Sequence, residues 1–143
     1  MIHLLDSNVI IYAANPDFAF LRSYLADKKL GFSQISYVEV LGFHKITDDD
    51  KAEFEEFFSR SILFPLTDQI AKKAVDLRQM KKLSLGDSLI AATAFVHDLT
   101  LLTNNLKDFS WIPDYLLKTR WKLENSTALS RVEIFFAQRF VQP

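Results

Sequence analysis

Four acidic residues fall close to the ends of short apolar runs or just after a serine. Asp6 follows Ile2-His3-Leu4-Leu5, and Asp108 comes shortly after Thr100-Leu101-Leu102-Thr103. Glu39 and Asp87 each stand three positions after a serine, Ser36 and Ser84. In open parallel sheets, ligands bind beyond the carboxyl ends of the strands, where Asp6 would stand. Carboxylates gathered there repel one another unless a cation neutralises them, and hard ions such as Mg2+ or Mn2+ suit an all-oxygen donor set. Such an ion can polarise a phosphoryl oxygen, lower the pKa of a bound water and stabilise a leaving oxygen.

A plainer reading accompanies each position. Ser36-x-x-Glu39 and Ser84-x-x-Asp87 are capping-box patterns, which satisfy a helix start and require no function. Asp6 suits a helix cap, and Asp108 an ordinary turn. The two readings are compatible, because a capped first turn also fixes its carboxylate in place. The joint pattern of four acids favours chemistry over any single position.

These acids need elements to hold them. Ile2–Leu5 has the form of a buried strand closed by polar residues, with Ser7 or Asn8 placed to cap a helix from Val9 to Ala14. Asn15-Pro16-Asp17 is a break. Phe18, Leu21, Tyr24 and Leu25 follow at helical spacing, with Gly31 expected to mark the end of that element. Phe32-Ser33 is a short second strand, and a helix from near Ser36 carries Val38, Leu41 and Phe43. Asp48-Asp49-Asp50 opens an amphipathic helix with its acids at the positive end of the dipole. Ile62–Phe64 is a third strand, Thr67 and Ser84 cap two further helices, and Thr100–Thr103 is the last strand. Strands alternating with helices predict an α/β fold with a parallel sheet covered on both faces. Beyond Pro113 the pattern weakens, although Trp121, Leu123, Val132, Ile134, Phe135, Phe136 and Phe140 keep the tail apolar and a helix over 130–139 fits.

Composition narrows the classes. The chain has 143 residues, 49% hydrophobic, and a net charge of −1, so it fits one domain with a real core and advertises no global basic field. With no cysteine, disulfides, zinc–thiolate sites and thiol catalysis are excluded. No apolar run reaches the 18 or more residues of a bilayer span, and no signal peptide is read. The expectation is a cytoplasmic protein without membrane contact. Three glycines leave no phosphate-cradling loop.

Four segments together resemble the PIN domains, especially the VapC-type toxins: the opening from Met1 to Ala13 (MIHLLDSNVIIYA), Ser36 to Gly42 (SYVEVLG), Leu85 to Ala94 (LGDSLIAATA) and Leu101 to Phe109 (LLTNNLKDF). The likeness covers roughly residues 1–112 in the family's order. It implies a PIN-like three-layer α/β/α sandwich over residues 1–118. Residues 119–143 would then be an apolar C-terminal extension that packs on the core, supports a dimer or occupies a partner groove. By the same resemblance, Asp6, Glu39, Asp87 and Asp108 are the catalytic acids holding Mg2+ or Mn2+. Ser7 matches the small hydroxyl residue after the first acid, and Asn105 is a water or phosphate contact at a position where many relatives carry an acid. The implied activity is metal-dependent endoribonuclease cleavage by the toxin of a VapBC-type pair, with a VapB-like antitoxin and a homodimer as assemblies.

Two other classes compete. A noncatalytic PIN-like binding module would use its apolar faces for protein contacts, but retention of all four acids disfavours it. A phosphotransfer protein with Asp6 as nucleophile lacks the second acid two residues on. Elsewhere, Lys72, Lys73, Arg78, Lys81 and Lys82 fit a solvated helix face better than a phosphate-binding strip. The Phe54–Phe58 stretch reads as core, and His3, His44 and His97 lack metal-ligand spacing and read as structural.

Overall fold

Ile2–Leu5 forms β1, a central strand of a four-stranded, all-parallel sheet in the order β3-β2-β1-β4. The computed structural model describes residues 2–103 together with Phe109 and Trp111. β2 is Lys29–Ser33, β3 Ile62–Phe64 and β4 Thr100–Leu102. Leu5 lies in register with Phe32 on one side and Leu102 on the other. The chain steps outward from β1 to β2 to β3 and then returns to lay β4 against the opposite edge of β1. The strand order thus reverses at β1, and the crevice beyond its carboxyl end is the switch point where such sheets bind ligands.

Six α-helices cover the sheet: α1 Ser7–Ala13, α2 Ala19–Leu25, α3 Gln34–Leu41, α4 Asp48–Arg60, α5 Asp68–Met80 and α6 Leu85–Val96. Successive strand residues point to opposite faces, which divides the core in two. Leu4 and Leu101 face Ile70, Ala74 and Leu77 of α5 and Ile90, Ala91 and Ala94 of α6, where Phe109 is also buried. Leu5, Phe32 and Leu102 face Ile10 and Tyr12 of α1, Leu21 and Leu25 of α2, Val40 of α3 and Phe54 and Phe58 of α4. Each fully buried Leu, Ile, Val or Phe side chain among these contributes about 1.5–3 kcal/mol relative to exposure. Two apolar layers on one parallel sheet make the expected α/β/α sandwich.

Several local expectations change. Asp6 is the helix cap that its plainer reading allows, and α1 starts at Ser7, so neither Ser7 nor Asn8 caps it. Gly31 ends no helix. It lies inside β2, where a Cβ would stand 2.5 Å from Phe64 Cε2 and 3.3 Å from Ile2 Cγ2. Helix α3 begins at Gln34 under a cap from Ser33, so Ser36 is an interior residue and the capping-box reading of Ser36-x-x-Glu39 is wrong. Ser84 does cap α6, accepting from the Asp87 N–H at 3.1 Å, and Thr67 caps α5. The tail helix, residues 119–143, Asn105 and Asp108 lie outside the described residues. No helix among the described residues is long and apolar enough to cross a membrane.

Candidate active site

Asp6 occupies the first position past β1, and three hydrogen bonds fix it. Its N–H donates to the Leu102 carbonyl at 2.9 Å, carrying the β1–β4 pairing one residue beyond the strand. Its Oδ1 accepts from the Ser7 N–H and its Oδ2 from the Thr103 hydroxyl, both at 2.7 Å. Only 3% of the residue is exposed. Burial pushes the Asp6 carboxyl up to about 7; the Thr103 hydroxyl and the Ser7 N–H pull it down, while the charges of Asp87 and Glu39 raise it further. Asp87 and Glu39, from α6 and α3, therefore stand close enough to Asp6 to act on it through space. Residues some thirty and eighty positions apart in the chain converge at the switch point.

Two neighbours bear on the Glu39 carboxyl. Its Oε1 lies 2.9 Å from the Ser7 hydroxyl, which lies 2.9 Å from the hydroxyl of Ser36, one turn earlier on α3. Ser7 has a single hydroxyl proton. A carboxylate can only accept, so that proton goes to Glu39 and the Ser36 hydroxyl donates to Ser7. Ser36 is fully buried and Ser7 6% exposed, which leaves this short relay little competition from water. The carboxyl also lies close to Gly86 in the first turn of α6: a Cβ there would lie 2.9 Å from Oε2 and 3.1 Å from Oε1. Asp87, next in sequence, is set by the Ser84 cap.

The donor set is all hard oxygen, and the groups acting on Asp6 are two hydrogen-bond donors and two carboxylates. A buried carboxyl raised by neighbouring acids has the chemistry that a divalent cation relieves. The residues fit such an ion in kind, although among the described residues no three acidic or imidazole groups stand together at coordination distance. Asp108, the fourth expected acid, falls outside the described residues.

The PIN-domain family model matches residues 3–113. The chain belongs to the PIN-domain family. Among its relatives, Ribonuclease VapC2 of Rickettsia felis is 30% identical over 130 residues, covering 82% of this chain and 97% of the relative. Ribonuclease VapC10 of Mycobacterium tuberculosis is 33% identical over 114 residues, covering 74% and 84%. Among solved structures, the VapBC2 complex of R. felis bound to a DNA fragment from its promoter matches with a TM-score of 0.67 at 27% identity, covering 83% of this chain and 98% of that one. A toxin–antitoxin complex from Klebsiella pneumoniae matches with a TM-score of 0.67 at 31% identity, covering 78% and 92%. Divalent-metal dependence is general among PIN-domain ribonucleases.

Within this PIN domain, three residues at the site escape the sequence reading. Thr103 has a recoverable signal, since Asp6 and Thr103 are the first polar residues after two strands that prove to be parallel neighbours. Ser36 was assigned to a cap, and Gly86 reads as one small residue in a motif. Other singled-out positions make local contacts. Lys72 pairs with Asp68 at 3.0 Å, Lys73 lies 3.8 Å over the Phe95 ring, and the Arg78 Nε donates to the Leu83 carbonyl at 3.1 Å. Phe54 and Phe58 are buried in the core, and His97 packs on Phe64 with ring centroids 4.8 Å apart.

Proposed function

We propose that this PIN domain is a Mg2+- or Mn2+-dependent endoribonuclease and the toxin of a VapBC-type pair. The observation that carries the reading is the convergence of Asp6, Glu39 and Asp87 at the sheet's switch point, with Asp6 buried and raised by the other two. Support for the substrate comes from relatives named ribonucleases, and for the partner from neighbours solved as toxin–antitoxin complexes.

Asp6, Glu39, Asp87 and Asp108 would hold the cation. When bound, it polarises the scissile phosphoryl group and makes water a competent nucleophile at neutral pH. Asp6 is oriented by Ser7 and Thr103 before substrate arrives, so little reorganisation is needed during reaction. Glu39, steadied by the Ser7 hydroxyl, or Asp108 orients or deprotonates the attacking water. Asn105 contacts the phosphate or an ordered water. A VapB-like antitoxin segment covers the site, the working form is a homodimer in the cytoplasm, and residues 1–118 form the nuclease unit with 119–143 as its extension.

The test incubates wild type and Asp6→Asn with structured RNAs in Mn2+ or in EDTA. Cleavage is expected for wild type with metal and in no other arm. Equal cleavage by Asp6→Asn places the chemistry elsewhere, and intact RNA in every arm favours a noncatalytic binding module.

A further inference from the structure

We propose that Gly86 is a positioning residue for Glu39: its missing side chain lets the Glu39 carboxylate lie against the first turn of α6, next in sequence to Asp87, while it accepts from the Ser7 hydroxyl. The inference rests on the reading of this site as a nuclease centre and adds to it a constraint from a residue with no side chain to ligate a metal.

An alanine Cβ at this position would approach Glu39 Oε2 to 2.9 Å, Oε1 to 3.1 Å and Cδ to 3.2 Å, and these three nearest atoms all belong to one carboxyl group. No glycine in the described residues has a positive φ, so alanine can adopt the Gly86 backbone without strain. The group in the way is the end of a flexible side chain, which moves aside more readily than backbone. An added methyl therefore displaces Glu39 and leaves the fold intact. Glu39 Oε1, one of the crowded atoms, also accepts from the Ser7 hydroxyl at 2.9 Å, so the displacement would lengthen or redirect that bond and turn the carboxylate. A helix gains stability from Gly→Ala, yet here the smaller residue stands where the larger would help the helix. Room for the Glu39 carboxylate accounts for that choice.

The prediction opposes stability and activity in one substitution. Gly86→Ala should hold or raise Tm, by roughly 1–4 °C, because the unfolded chain loses freedom and the native backbone is compatible. Its kcat for RNA cleavage should fall by about 10–100-fold with KM changed much less, since carboxylate alignment rather than substrate contact is lost. Mn2+ affinity, measured by isothermal titration without RNA, should weaken by about tenfold or more. Glu39→Asp in the Gly86→Ala background provides the coupling test, because a side chain one methylene shorter has no oxygen at the clash. The methyl should cost kcat and Mn2+ affinity far less in that background than in wild type.

Wild-type kcat and Mn2+ affinity in Gly86→Ala would overturn the inference, as would a kcat loss matched by a fall in Tm, or equal losses in both backgrounds. Wild type that neither binds Mn2+ nor cuts any RNA overturns the nuclease reading itself and takes this inference with it. Wild type that does both while Gly86→Ala is unchanged removes only the role of Gly86.

Discussion

Replacing Asp6 by Asn should make the protein more stable while abolishing its activity, and the gain should grow with pH. Burial, with Asp87 and Glu39 nearby, pushes the Asp6 carboxyl up to about 7 from an ordinary 3.8. Below pH 3.8 the folded and unfolded chains both hold the proton, and the group has no effect on stability. Between 3.8 and 7 the unfolded chain has released it while the fold retains it, so stability falls as pH rises. Above 7 the loss is complete. At roughly 1.4 kcal/mol per pH unit, the full gap corresponds to about 4 kcal/mol, of which about 2 kcal/mol is already present at pH 5.

Asn is neutral throughout and nearly isosteric. Its oxygen can still accept from the Ser7 N–H, and its amide can donate to the Thr103 hydroxyl oxygen, which accepts as readily as it donates. The variant should therefore exceed wild type by about 2 kcal/mol at pH 5 and about 4 kcal/mol at pH 8, with the widening as the diagnostic. Urea unfolding of both proteins in EDTA at the two pH values measures it directly. A difference that stays constant, or narrows toward pH 8, refutes the account of Asp6 as a strained, proton-holding carboxyl. Added Mg2+ should stabilise wild type at pH 8 and leave Asp6→Asn unmoved, because only a binder of the native state shifts unfolding.

Three further outcomes follow from the same geometry. Ser7→Ala removes the donor to Glu39 and the acceptor for Ser36, and should lower kcat by about 10–100-fold in single-turnover cleavage; a loss under about twofold contradicts the relay. Phe58→Ala empties a site where the ring packs 4.5 Å from Phe32, and should cost about 3–5 kcal/mol in urea unfolding, with a loss below about 1 kcal/mol showing that α4 contributes little to that core. Lys72→Ala breaks an ion pair whose side chains are 79% and 85% exposed, so stability should change by no more than about 1 kcal/mol. RNA KM and its salt dependence should stay as in wild type, whereas a raised KM with a shallower salt slope would return the α5 lysines to the substrate path.

The elements were largely legible because their signals are local. Three aspartates and Thr47 start α4, Thr67 starts α5, and the apolar pairs Leu4-Leu5 and Leu101-Leu102 each send one side chain to each core. Failures occurred where one pattern admits two geometries. A serine three residues before Glu39 suits a cap, but Ser33 takes that role, and only the position of Ser7 across the site reveals what Ser36 does. Gly31 looks like a terminator in sequence, whereas Phe64 and Ile2 crowd it within the sheet. Asp6, Glu39 and Asp87, which the fold brings near one another, stand out in the sequence by type and order. Their orientation does not, since the Asp6–Thr103 and Ser7–Glu39 bonds depend on which strands and helices become neighbours.

The return of β4 to the edge of β1 has a consequence for how the protein is made. Asp6 is synthesised before its Leu102 and Thr103 partners, and Thr103 follows it by 97 residues. Any nascent fragment that stops short of β4 lacks one wall of the crevice. At about 5–20 residues per second, roughly 5–20 s separate the synthesis of Asp6 from that of Thr103, and through that interval the crevice is incomplete.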